Sequence, residues 1–117
     1  MHFKFEKLIV WQKSLQLIER VNRLTKQFPK DELFCLTSQI KRAADSVSLN
    51  IAEGSTGQSN PEFIRFLNFA IRSNIEVVAC LHIARIRSLI TETEFKEIYM
   101  LCSEILAMLN ALKQKLK

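Results

Sequence analysis

The stretch RAADSVSLNIAEGSTGQSNPE, residues 42–62, decides the fold. Its first half continues a helical pattern: Leu33, Leu36, Ile40, Ala43, Val47 and Ile51 recur at three- and four-residue steps. Gly54 is a natural stop, because a glycine at C′ is free to take a positive φ. Residues 55–59, STGQS, have the composition of a loop. SNPE then opens another helix. Ser59 and Glu62 fit a capping box, and Asn60 before Pro61 fits an N-cap with proline at N1. Two helices joined by so short a loop lie antiparallel.

The same pattern extends in both directions. Upstream, Leu8, Trp11, Leu15, Ile18, Val21, Leu24 and Phe28 form one apolar face, which Pro29 ends; Asp31 offers an N-cap to the next helix. Downstream, Phe63, Leu67, Ala70, Asn74, Val77, Leu81 and Ala84 line a seam to about Ser88. TETE at 91–94 is a second capping box, followed by Phe95, Ile98, Cys102, Ile105, Leu109, Leu112 and Leu116. Helices are expected near 6–27, 32–53, 60–89 and 92–116. With two Gly and two Pro in 117 residues, turns are few. The prediction is all-α: one domain over 1–117, an antiparallel up-down-up-down four-helix bundle.

Composition narrows the function. Hydrophobic residues are 48% and charged residues 25%, a globular balance rather than a disordered one. No run of about 18 apolar residues suggests a membrane span, and MHFKFEK lacks a secretion signal, so a cytoplasmic protein is expected. Cys35, Cys80 and Cys102 are far apart and do not cluster with His2 or His82, which reads as reduced thiols rather than a metal site. GSTGQS lacks the lysine of a P-loop, and no E-x-x-H pair points to a di-metal bundle. Neither histidine sits at helical spacing from a Ser or Cys as a triad would require. A non-enzymatic protein without cofactor or metal is expected.

Three surface features remain. The first is a polar seam, Arg42, Ser46, Asn50 and Glu53, beside the small-residue core line of segment two. Hairpin geometry sets Glu53 near Arg65 and Arg42 near Arg72, with Asp45 and Glu76 able to separate the two arginines. The seam is either a set of register-fixing hydrogen bonds or an anion site. The second is basic charge. Residues 1–30 hold seven Lys/Arg against two Glu, which accounts for a surplus equal to the chain's net +5. Lys13, Arg20, Arg23 and Lys26 fall on the solvent side of segment one. They form a candidate contact to RNA or DNA backbone or, equally, a plain solvated face. The third is the girth of apolar residues on segment three. Ile64, Ile71, Ile75 and Val78 form a second stripe beside the core seam, more than one bundle covers, so an oligomer interface is expected there. A fatter monomer core covered by Phe3 and Phe5 is the alternative.

VWQKS at 10–14, FPKDE at 28–32, LTSQIKRAADSVSLNIAEG at 36–54 and EFIRFLNFA at 62–70 resemble the bacterial four helix bundle protein family, also called the 23S rRNA intervening-sequence or S23-type family. The resemblance covers nearly the whole chain. It implies a bundle that assembles as a homopentamer, and kinship with the accessory variability protein of diversity-generating retroelements, a basic pentamer that works with a reverse transcriptase and nucleic acid. The expectation is therefore a homo-oligomeric scaffold that binds RNA or DNA backbone, alone or beside a protein partner. A protein-interaction module whose basic charge is incidental is the alternative.

Overall fold

The structure is a computed structural model that describes residues 2–57 and 59–117. Four α-helices dominate: α1 Ile9–Thr25, α2 Ser38–Gly54, α3 Asn60–Ile86 and α4 Glu92–Leu116. No strand occurs among the described residues. Cross-helix contacts fix the topology. Lys13 pairs with Glu104 and Arg20 with Glu97, so residue numbers rise along α1 as they fall along α4. The same reversal joins α2 to α3 through Gln39–Glu76 and Ser46–Ser73, and α3 to α4 through Asn74–Cys102 and Arg85–Glu92. Neighbours are antiparallel throughout, in a rod of 43 × 23 × 21 Å.

The core runs along the axis, with Leu17, Ile40, Ile51, Leu67, Leu81, Ile105 and Leu109 fully buried. Each such side chain contributes about 1.5–3 kcal/mol relative to exposure. α1 corrects the expected seam. Its buried line is Val10, Ser14, Leu17, Val21 and Leu24, whereas Leu15 is 42% exposed. A serine at a core position hid that line. Ser14 is buried because its hydroxyl donates to the Trp11 carbonyl one turn back, which satisfies it within the helix.

Three boundaries also differ from expectation. Leu8 is extended (φ −75°, ψ 123°), so residues 4–7 form a separate 3₁₀ turn and α1 starts at Ile9. Ahead of α2, Lys30–Glu32 is a 3₁₀ turn and Leu33–Thr37 a π turn with Cys35 off the helical angles (φ −118°, ψ −106°). The cap is Glu32, not Asp31: its carboxylate accepts the Leu36 N–H at 3.4 Å. α3 ends at Ile86, where Ser88 turns left-handed (φ 58°) and the Leu89 N–H returns to the Ala84 carbonyl at 2.9 Å.

Gly54 is a further correction. It lies inside α2, buried, and the positive φ (77°) belongs to Gly57. A Cβ on Gly54 would stand 2.6 Å from the Phe66 Cβ and 3.0 Å from Phe63 Cδ1. The glycine therefore permits α2 and α3 to touch backbone to ring at the hairpin mouth. Of the loop expected at 55–59, Gln58 falls outside the described residues. Both helix starts occur as the sequence suggests. The Ser59 hydroxyl accepts the Glu62 N–H at 3.2 Å, with Pro61 in the first turn. Thr91 and Glu94 close a reciprocal capping box, at 3.1 and 2.8 Å.

Candidate functional site

The polar seam is real in its middle and absent at its end. The Asn50 amide donates to the Ser46 carbonyl (2.8 Å) and hydroxyl (2.9 Å) on its own helix, and the Ser73 hydroxyl donates to Ser46 Oγ at 2.8 Å. The crossing between α2 and α3 is thus a pair of serines, with Asn50 bracing one of them. Glu53 does not meet Arg65. Arg65 instead binds Glu62, one turn back on α3, at 2.7 Å, and lies over the rings of Phe66 and Phe69. A partner three residues away on one helix is already in reach, whereas Glu53 points to solvent. The hydrogen bond from Arg65 holds the Glu62 carboxyl below its ordinary value. Arg42 and Arg72 are both exposed, and Glu76 accepts from Gln39 at 2.9 Å rather than standing between them.

The basic stripe of α1 is largely neutralised. Lys13 pairs with Glu104 at 2.7 Å, Arg20 with Glu97, and Arg23 with Glu19 at 3.0 Å; Lys26 alone of the four is in no ion pair. A cleft of about 210 Å³ opens between α1 and α4 beside this stripe. Arg20 and Arg23 line it, but so do Glu94 and Glu97. Glu94 is held ionised, its pKa lowered first by the Thr91 N–H and then by Gln27. A phosphate entering there would meet two carboxylates, so the cleft favours no anion.

The second stripe of α3 is divided. Ile71 and Val78 lean on the edge of the core, Ile64 is half-buried, and Ile75 is 54% exposed. The outer face continues onto α4 through an aromatic group. His82 meets Phe95 edge-on at 5.0 Å and Tyr99 at 6.5 Å, with the Arg85 guanidinium 3.9 Å from the Phe95 ring centre. The largest exposures are elsewhere. Phe34 is 90% exposed on the π turn, and Ile86 and Met100 stand out from α3 and α4. Phe34 escapes a reading based on periodicity because the π turn rotates it off any helical line.

Chemistry inside the bundle is sparse. Burial pushes the Cys80 thiol up to about 11, with Glu76 adding to it, and the Cys102 thiol up to about 12. Both are therefore protonated near neutrality and poor nucleophiles. Among the described residues, no three His, Cys, Asp or Glu gather as metal ligands.

The sequence matches a known family along most of the chain. The family model described as "23S rRNA-intervening sequence protein" matches residues 6–111. The chain belongs to that family. Its fold is shared with a crystal structure of a protein of unknown function from the S23 ribosomal protein family of Bacteroides thetaiotaomicron VPI-5482. The two are 28% identical, with a TM-score of 0.82 over 89% of this chain and 97% of the other. No curated protein matches. Within this family fold, the matched range takes in all of α1, α2 and α3 and most of α4, so the polar crossing and the divided apolar face both lie inside it.

Proposed function

We propose that the chain is a non-enzymatic helical scaffold that works as a homo-oligomer, a closed ring whose copies join through the outer face of α3. One observation carries this reading. Although no unbroken apolar run marks it, α3 is by length and mean hydropathy apolar enough to cross a membrane, yet only 33% of that 18-residue window is buried within one chain. Arg65, Arg72 and Glu76 on the same helix argue for a wet protein interface rather than lipid. Neighbouring copies that cover Ile64, Ile71, Ile75 and Val78 remove this surface from water. Five copies is the number that the family resemblance suggests. The free thiols Cys35, Cys80 and Cys102 fit a reducing compartment, the cytoplasm. The test is light scattering on the wild type and on Ile75→Asp. Ring assembly predicts a pentamer for the first and a helical monomer for the second. A wild type that stays monomeric at micromolar concentration overturns the reading.

A second reading is that the scaffold binds RNA or DNA backbone. Among the described residues, six of the 17 Lys and Arg side chains are in ion pairs, which leaves eleven cations against six carboxylates outside them. Such an excess repeated around a ring favours a polyanion. The family description, which ties its members to sequences within 23S rRNA, agrees with an RNA setting. Binding to RNA that weakens steeply with salt supports it; no binding at low salt leaves a protein-interaction module.

A further inference from the structure

The cations outside ion pairs are not spread evenly. α1 and α4 are antiparallel with Lys13 level with Glu104, so residues 2–8 and the last turns of α4 share one end of the rod. The α2–α3 loop lies there too: the Lys4 Nζ is 4.0 Å from where a Cβ on Gly57 would stand. This end carries Lys4, Lys7, Lys113, Lys115 and Lys117, none of them in an ion pair among the described residues. Its acids are fewer: Glu6 accepts the Phe3 N–H at 2.8 Å and the His2 N–H at 3.2 Å, and Glu62 is taken by Arg65, which leaves Glu6 and Glu53 without a cation partner among the described residues.

Aromatic residues alternate in sequence with Lys4 and Lys7. His2 packs edge-on to Phe3 (5.7 Å), Phe3 lies 6.1 Å from Phe5, and Phe5 meets Trp11 edge-on at 4.8 Å. The inner rings anchor the 3₁₀ turn to α1. The outer ring, Phe3, is 61% exposed on a backbone tied down by Glu6. A fixed, solvent-facing ring next in sequence to Lys4, on the end of the rod that also carries Lys7 and the α4 lysines, has the two elements that single-stranded nucleic acid requires: a stacking surface and cations for the phosphates.

We propose that this end of the bundle is a single-stranded nucleic-acid site. Phe3 stacks an unpaired base, and Lys4, Lys7, Lys113, Lys115 and Lys117 hold the flanking phosphates. The site rests on the backbone-binding reading above and moves it from the α1 stripe to the end of the rod. A duplex keeps its bases stacked on one another and offers Phe3 no face, so the ring confers a preference that lysines alone lack.

The experiment is fluorescence anisotropy of the full chain with a labelled oligouridine of about 15 nucleotides and a duplex of equal length. Phe3→Ala removes an exposed ring while the backbone bond to Glu6 stays, and circular dichroism verifies its fold. It should weaken single-strand binding about fivefold or more and leave duplex binding unchanged. The combined K113E, K115E and K117E variant should weaken both, and lower the single-strand salt slope by about 2. If Phe3→Ala has no effect while the lysine variant does, backbone binding stands and the stacking site falls. If only K13E with R20E and R23E weakens binding, the contact is the α1 face and this site is overturned. No binding of either nucleic acid at low salt overturns both readings. Phosphatidylserine vesicles are the last arm: sedimentation with them, lost in Phe3→Ala and unaccompanied by RNA binding, would make this end a membrane contact and defeat the proposal.

Discussion

Gly54 shows how one missing methyl sets the spacing of two helices. Alanine there gains about 1 kcal/mol of helix propensity. Its Cβ, however, would lie 2.6 Å from the Cβ of Phe66, an atom too close to the α3 backbone to swing aside. Overpacking of that kind costs about 1–3 kcal/mol, so the clash outweighs the propensity. Gly54→Ala should lower the melting temperature, and a rise in a thermal melt would show that the hairpin mouth can open freely. The glycine was visible in the sequence as a helix-ending residue, but its purpose was not, because the partner that needs the space lies twelve positions away on another helix. Glu53 and Arg65 fail for the opposite reason: a local carboxylate, Glu62, takes the arginine before the cross-helix pairing can form.

At the scale of elements, what is local was legible and what is relational was not. The start of α4 lies one residue away from expectation or less, because Thr91 and Glu94 carry their own hydrogen-bonding logic. The α1 core line was misplaced because Ser14 sits among apolar residues at a position where polarity is cancelled within the helix. The basic stripe looked free because its partners, Glu97 and Glu104, come from the far end of the chain. The α4 cap also has a pH signature. Glu94 has a folded pKa below its ordinary 4.5, so its carboxylate contributes stability that is fully present above that value and lost as the pH falls through the folded pKa. Glu94→Gln should therefore cost about 0.5 kcal/mol at pH 7, discounted as the group is largely exposed. The gap to wild type should close as the pH drops below 4.5. Denaturant melts at pH 7 and pH 3 that show the same gap would refute this assignment.

At the scale of the whole molecule, the issue is how much surface one chain leaves unfinished. Ile75, Phe34, Ile86 and Met100 project from a narrow rod whose core is already closed by the lines of all four helices. If copies complete one another, folding and association are linked, and stability depends on concentration by mass action. The melting temperature should rise as protein concentration is raised tenfold. A transition that does not move with concentration would mean that the single bundle is self-sufficient and the exposed apolar residues serve something other than self-assembly.

The π turn at Leu33–Thr37 gives the chain a tolerance for changes in length. A π turn holds one more residue than the α turn it interrupts, and here the surplus centres on Cys35, exposed and off the helical angles. Deleting Cys35 would let the turn relax to α geometry and extend α2 backward, with the downstream register of Ile40, Ala43, Val47 and Ile51 undisturbed. Deleting Ala44 instead would rotate every later residue of α2 by about 100° and turn its core line outward. The one-residue deletion at 35 should fold with near-native helicity and the one at 44 should not, as circular dichroism and solubility will report. Relatives of this chain are then free to gain or lose a residue between α1 and α2, at a place where an alignment drawn as continuous helix would record only a mismatch.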